Sequence, residues 1–403
     1  MNIGLFTETY YPELNGVATS VLTLKTELEK MGHNVYVFTT TTPGSPEHEH
    51  NVFRVPSLPC VLVSERRVGM FYQPKLAGII KKLNLDLIHT HTEFSLGIFG
   101  RIMARELHLP VIHTYHTIYE DYTHYIAKFK SLDKGAKAFV RSYTKLCCNG
   151  VETVIVPTEK VKDLLTEYSV YREIEVIPTG INLEKFEESK YSVEEIQMLR
   201  QKYGIQKDDK VILYIGRLAK EKNLDEVLKD IPGFMECHQD AKMVIVGDGS
   251  YRETLEKYTE KLSCREKILF LGEQPWDEIA KFYRLGDVFI SASTSETQGL
   301  TYIEAMASGL PVVAKKDRCL DGILENGYNG FTFETEEEMQ KALENILYQN
   351  TDTDYAGNSR MGIQKYSTIE FAKSVEKLYN HVLEHHERKK QKIPDKKMER
   401  TIQ

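Results

Sequence analysis

At 403 residues the chain is longer than one hydrophobic core ordinarily serves, and 41% apolar with 28% charged residues excludes a disordered or fibrous protein. The net charge of -7 argues against a nucleic-acid binder, and no stretch of about 18 consecutive apolar residues offers a membrane span. Six cysteines without metal-ligand spacing read as the reduced thiols of a cytoplasmic protein.

Residues 3–7 form a first predicted strand, without the basic and long apolar regions of a signal peptide. A helix over 17–31 follows, stopped by Gly32. Further strands are expected at 35–39, 85–90, 110–114 and 153–156, several separated by helical patterns. That alternation predicts a parallel sheet covered on both faces. The polar stretch 180–191 breaks the pattern and reads as a linker. A second series of strands follows at 211–215, 243–246, 268–271, 288–291 and 311–314, with a helix at 300–308. Beyond Thr335 the pattern is helical. The expected fold class is therefore α/β, with two doubly wound Rossmann-like domains and a cleft at the carboxyl ends of their strands. We place the domains at 1–185 and 186–365, then a helix at 366–387 and a basic, disordered tail at 388–403.

The stretch 291–314 carries the strongest chemical signal. It reads as strand, polar loop, helix, strand, with Glu296 in the loop and Glu304 one turn into the helix. A helix starting near Leu300 aims free N–H groups at the cleft, which suits a diphosphate. A carboxylate can hold vicinal sugar hydroxyls by paired hydrogen bonds. An isolated glutamate in such a place is ordinarily a solvated charge. The strand at 211–215, however, ends in Gly216-Arg217 with Lys222 beyond it, and two fixed cations suit the charge that grows on a leaving diphosphate.

With these residues together, the chain resembles the retaining glycosyltransferases of family 4, whose two glutamates are likewise separated by seven residues. The likeness runs to about Asn380. It implies the two-domain GT-B fold, with the donor on the C-terminal domain, the acceptor on the N-terminal one, and no metal or other cofactor. It further implies that Arg217 and Lys222 meet the donor diphosphate, Glu304 the ribose and Glu296 the hydroxyls of the transferred sugar. Backbone groups at Gly299, Leu300 and Thr301 would complete the phosphate cradle, with Gly216, Gly247 and Gly272 beside the nucleotide. Gly16 would close over the phosphates, and His116 would meet the donor sugar near the reacting carbon. His89, His91, His113 and His116 lack the companions of a zinc site, so metal binding is not expected. Gly247-Asp-Gly249 followed by Arg252 departs from a dinucleotide fingerprint.

Within the family, Tyr119-Glu-Asp-Tyr-Thr-His-Tyr125, His89-Thr-His-Thr-Glu-Phe-Ser95 and Lys315-Lys-Asp-Arg-Cys-Leu-Asp-Gly322 resemble the bacterial branch that glucosylates 1,2-diacylglycerol. Asp121 and Tyr122 become acceptor candidates. From Lys128 to Cys148 one acid, Asp133, stands against six bases. On a helix, Leu132, Ala136, Phe139, Tyr143 and Leu146 form one stripe, and Lys134, Lys137, Arg141 and Lys145 another. Such a helix can rest on anionic lipid or simply face a core. A second apolar and basic patch spans 60–71.

The resemblance thus implies transfer of glucose from UDP-glucose to diacylglycerol in an anionic membrane, by a protein peripheral on its inner face. A galactosyl donor, a soluble or glycan acceptor, a nucleotide-sugar epimerase of the same fold and a non-catalytic partner subunit remain alternatives. The sequence does not specify an oligomeric state.

Overall fold

Strand β1 (Asn2–Phe6) is third in a seven-stranded parallel sheet with β2 (Asn34–Thr40), β3 (Val52–Val55), β6 (Leu87–Thr90), β7 (Val111–Thr114), β8 (Thr153–Val156) and β9 (Glu173–Val176). Their order is β3-β2-β1-β6-β7-β8-β9. A short antiparallel pair, β4 (Ser57–Pro59) with β5 (Arg67–Gly69), lies outside it. The computed structural model describes residues 1–13, 15–59, 67–69, 72–122, 130–349 and 352–392.

Alternation along these strands feeds two cores. On one face Ile3, Leu5, Val35, Val37, Leu87 and Ile112 pack against helix α1 (Gly16–Lys30) and the C-terminal helix, Thr368–Lys392. On the other, Phe6, Phe38, Ile88 and Val154 meet α2 (Pro74–Ile80), α3 (Ser95–Leu107) and α5 (Glu159–Glu167), while α4 (Lys130–Asn149) contributes Cys148. Asn15 caps α1 by accepting from the Ala18 N–H at 3.0 Å.

The second unit has a six-stranded parallel sheet ordered β12-β11-β10-β13-β14-β15. Its strands are β10 (Lys210–Ile215), β11 (Ala241–Val246), β12 (Ile268–Gly272), β13 (Val288–Ser291), β14 (Val312–Lys315) and β15 (Gly330–Phe333). Leading into the sheet is α6 (Val193–Lys202), and the sheet is covered by α7 (Leu224–Cys237), α8 (Arg252–Thr259), α9 (Ile279–Tyr283), α10 (Leu300–Ala307) and α11 (Glu336–Glu344).

The chain divides into Met1–Gly180 with the C-terminal helix, and Ile181–Ser367. The boundary lies between Gly180 and Ile181 and not after residue 185 as expected, because Ile181 and Phe186 are buried in the second unit's core. The 180–191 stretch is not a free linker. The C-terminal helix belongs to the first unit through Phe371, Val375, Leu378, Tyr379 and Val382. It continues to Lys392, so residues 388–392, expected to be disordered, are helical. The remaining tail lies outside the described residues.

Candidate active site

In the second unit the expected donor residues come from loops that follow parallel strands, where an open α/β sheet gathers its ligand contacts. After β10 come Gly216, Arg217 and a short turn carrying Lys222; after β11, Gly247; at the end of β12, Gly272; after β13, the loop to α10. Close approach of these loops requires glycine. A Cβ on Gly247 would stand 2.0 Å from the carbonyl oxygen of Gly216, and its φ of 136° is outside the range of ordinary side chains. Gly216 N–H donates to Val246 O at 3.0 Å, and Gly247 N–H to Gly272 O at 2.8 Å, joining three of the four loops.

Two of the expected donor residues pair with each other. Lys222 Nζ donates to Glu296 Oε1 at 2.6 Å, with both side chains mostly buried. Arg217 donates to Glu221 Oε1 at 2.5 Å, and Ser295 Oγ to the Glu221 carbonyl at 3.1 Å. The Gly216–Asn223 loop and the loop bearing Glu296 therefore brace each other through paired charges, which lowers the cost of holding ions away from water. Glu221 was not singled out from sequence, although its position four residues after Arg217 is a recognisable pairing distance.

Helix α10 follows its N-cap Gly299, which is in the left-handed region at φ 75° and has no side chain to cap the first turn. The N–H groups of Leu300 and Thr301 belong to that turn, an arrangement suited to phosphate oxygens. One turn on, Glu304 is partly buried and accepts from the Tyr283 hydroxyl at 2.7 Å. Burial pushes its carboxyl up to about 7, against the opposing pull of the Tyr283 hydrogen bond and the Lys185 charge. Neither Tyr283 nor Lys185 is legible from the local motif.

The first unit gathers a buried polar cluster at the ends of β6 and β7. His91 Nδ1 lies 3.1 Å from His116 Nε2, and burial lowers His116 to about 4, which leaves it neutral at physiological pH. His113 Nε2 lies 3.1 Å from Glu93 Oε1, while its Nδ1 lies 2.8 Å from Thr90 Oγ1. An ionised carboxylate only accepts, so with a neutral ring Nε2 carries the proton and Nδ1 accepts from Thr90. Burial opposes the charge of Glu93, but hydrogen bonds from His113 and Tyr119 outweigh it and keep the carboxyl below its usual range. His89 bridges Tyr379 and Thr114, each at 2.7 Å. Among the described residues, no group of three or more His, Cys, Asp or Glu is placed to hold a metal ion.

Gly16 opens α1 and is exposed. Asp121 lies in the Tyr119–Tyr122 turn; the side chain of Tyr122 and residues 123–129 are outside the described set. Most of the 60–71 patch is outside it as well. On α4, Lys134, Arg141 and Lys145 are exposed and Lys137 half-buried. The expected single apolar stripe is split: Tyr143 turns inward to donate to the Glu93 carbonyl at 2.6 Å, while Phe139 and Leu146 are each 70% exposed. Arg141 is ion-paired with Glu120.

Two family models match in tandem, Glycosyltransferase Family 4 over residues 14–185 and Glycosyl transferases group 1 over residues 195–367. The chain is 42% identical over 381 residues to the alpha-monoglucosyldiacylglycerol synthase of Streptococcus pneumoniae, covering 94% of this chain and 85% of that one. It is 35% identical over 400 residues to the protein of the same name from Acholeplasma laidlawii, covering 96% and 99%. Anabaena HepE in complex with UDP shares the fold with a TM-score of 0.74, at 19% identity over 94% of this chain and all of that one. Such near-complete coverage, with the paired glutamates and cations gathered on one sheet edge, makes the chain a member of glycosyltransferase family 4 with the GT-B fold.

Proposed function

We propose that the protein transfers glucose from UDP-glucose to the free hydroxyl of 1,2-diacylglycerol, with retention, giving an alpha-monoglucosyldiacylglycerol. The observation that carries this reading is the similarity, over nearly the full length, to two alpha-monoglucosyldiacylglycerol synthases, in a chain whose Lys222–Glu296 and Arg217–Glu221 pairs lie in the loops expected to hold the donor. Arg217 and Lys222 neutralise the diphosphate, in place of a metal ion, and the first-turn N–H groups of α10 donate to its remaining oxygens. Glu304 takes the ribose and Glu296 the glucose hydroxyls. To His116, neutral and poor as a base, the reading assigns the sugar, and to Gly16 the phosphates.

In this reading the bond between glucose C1 and the β-phosphate oxygen breaks as C1 bonds to the lipid oxygen on the same face. The lipid hydroxyl proton passes to the departing phosphate, so no protein carboxylate need attack C1. The protein contributes preorganised charge. Peripheral binding to the inner face of an anionic membrane is part of the proposal, supported by the exposed Phe139 and Leu146 beside Lys134 and Lys145. No described helix is long and apolar enough to cross a membrane.

Purified protein should move label from UDP-glucose, and not from UDP-galactose, into lipid only when diacylglycerol micelles are present. The anomeric proton coupling of the product should report an alpha linkage. Label in a water-soluble acceptor, interconversion of the two nucleotide sugars, or no transfer would each overturn the reading.

A further inference from the structure

Strands β6 and β7 run side by side with Thr90 opposite His113, so the chain leaves both on one edge of the sheet. His91 is the first residue beyond β6, and its backbone N–H donates to the Phe6 carbonyl at 2.8 Å. One residue before His116, the Tyr115 N–H donates to the Ile155 carbonyl at 2.9 Å. Each imidazole thus springs from backbone held by a neighbouring strand. The two rings lie close to parallel, with centroids 5.4 Å apart and planes at 25°, and His91 Nδ1 is 3.1 Å from His116 Nε2. His89 packs against His91 with centroids 4.0 Å apart, and both of its nitrogens are engaged, by Tyr379 and Thr114. His91 is therefore seated on a ring that cannot turn without giving up a hydrogen bond.

Burial keeps both His91 and His116 neutral. Two neutral imidazoles share a hydrogen bond only when one donates and the other accepts, so the contact links the tautomers of the two rings. If His116 donates, His91 must carry its own proton on Nε2. That nitrogen is buried and has no hydrogen-bond partner among the described residues, so an N–H would be stranded there. If His91 donates from Nδ1, the same nitrogen is a bare lone pair. Buried N–H groups without an acceptor are rarer in folded proteins than acceptors with a free lone pair, which selects the second arrangement.

We propose that His91 is a positioning residue for His116: donating from Nδ1 to His116 Nε2, it confines the His116 proton to Nδ1, so that the transferred sugar meets an N–H donor aimed at a hydroxyl oxygen. The inference rests on the reading that His116 meets the sugar. A donor held in one tautomer and one orientation needs no rearrangement when substrate arrives, whereas a ring free to turn presents either nitrogen. The His91 side is closed to substrate, since that residue is 2% exposed, and it acts only through His116.

NMR of the full chain carrying nitrogen-labelled histidine reads the tautomers without substrate, the two signals being assigned by their loss in His91→Leu and His116→Gln. Near neutral pH both rings should carry the proton on Nδ1, although histidine free in water favours Nε2. In His91→Leu the His116 proton should shift toward Nε2, and kcat should fall roughly tenfold to hundredfold with KM for UDP-glucose changed less than about twofold. His91→Asn, whose amide N–H stands where Nδ1 stood, should restore the tautomer and most of the turnover. Adding His91→Leu to His116→Gln should cost no further activity, because a residue that acts through another is silent once that other is gone. Thermal unfolding confirms that each variant is folded. A wild-type His116 protonated on Nε2 overturns the inference whatever the variants do. So does a folded double variant in which the two losses multiply, which would make His91 structural only. The expected tautomers in a protein that transfers no glucose overturn instead the functional reading, and the sugar contact with it.

Discussion

The Tyr283 hydroxyl donates to Glu304 Oε2 at 2.7 Å, yet burial still leaves that carboxyl at about 7. The folded state thus holds this proton more tightly than an unfolded chain, where the group stands at 4.5. A raised folded value contributes stability that is present below the unfolded value and lost as pH rises through the folded one. Glu304→Gln, which carries no charge to bury, should therefore gain on wild type between about pH 4.5 and about pH 8, by at most about 3 kcal/mol because the carboxyl keeps some water. Denaturant midpoints at the two pH values check this. A gap that does not change with pH would show that Glu304 is not the titrating group, and the same variant should lose most transferase activity.

Arg217 makes a prediction that separates charge supplied to substrate from charge supplied to the fold. Its pair with Glu221 ties the two sides of one loop, so Arg217→Met should destabilise the protein by about 1–3 kcal/mol as well as lower turnover by roughly 10²–10³-fold. Adding Glu221→Gln should recover stability, since the buried carboxylate no longer lacks this partner, but should not recover turnover. Activity and thermal unfolding of the single and double variants decide the matter. Recovery of both together would make Arg217 a structural residue.

Gly299 combines two constraints that a single substitution exposes. Its φ of 75° disfavours any Cβ, by about 1–2 kcal/mol, and that atom would lie 2.3 Å from the Tyr302 ring. Tyr302 cannot readily yield, because its hydroxyl donates to Ser291 Oγ at 3.1 Å under β13. Gly299→Ala should lower the melting temperature and weaken UDP binding at least roughly tenfold, by re-aiming the first turn of α10. Gly135→Ala, in a helix where a Cβ meets nothing within 4 Å, should be stable or slightly stabilised. Equal behaviour of the two alanine variants would contradict this account of α10.

The sheets were legible in sequence wherever a strand carries a continuous apolar run, as in β1, β8, β10, β11 and β13, because parallel strands covered on both faces leave little polar interruption. Three of the four edge strands escaped, whereas β12 was anticipated at 268–271. β3, β9 and β15 contain Arg54, Glu173 with Glu175, and Thr332, since one side of an edge strand meets solvent or a loop. At the site, Glu296, Glu304, Arg217 and Lys222 were legible because their spacing is local to two loops. Tyr283 and Lys185 were not. Tyr283 donates to Glu304 from 21 positions earlier in the chain, and Lys185, 119 positions earlier, precedes Phe186, which packs against Tyr283.

The exposed side of α4 tests the membrane reading more sharply than its net charge does. Arg141 is engaged by Glu120 and Tyr143 faces the protein, so lipid contact falls to Lys134 and Lys145 with Phe139 and Leu146. Replacing Lys134 and Lys145 by Gln removes two cations, about 2 kcal/mol in all, and should reduce partitioning onto anionic vesicles roughly thirtyfold in low salt. Added salt should erase most of that difference, because the attraction is screened within about 10 Å at 0.1 M. Phe139→Ser with Leu146→Ser should instead weaken binding at every salt concentration, since insertion of apolar surface is not screened. Transfer to short-chain diacylglycerol in detergent micelles should survive both pairs of substitutions. If vesicle binding is indifferent to both pairs, α4 is not the docking surface; if micellar transfer collapses as well, these residues serve the active site rather than the membrane.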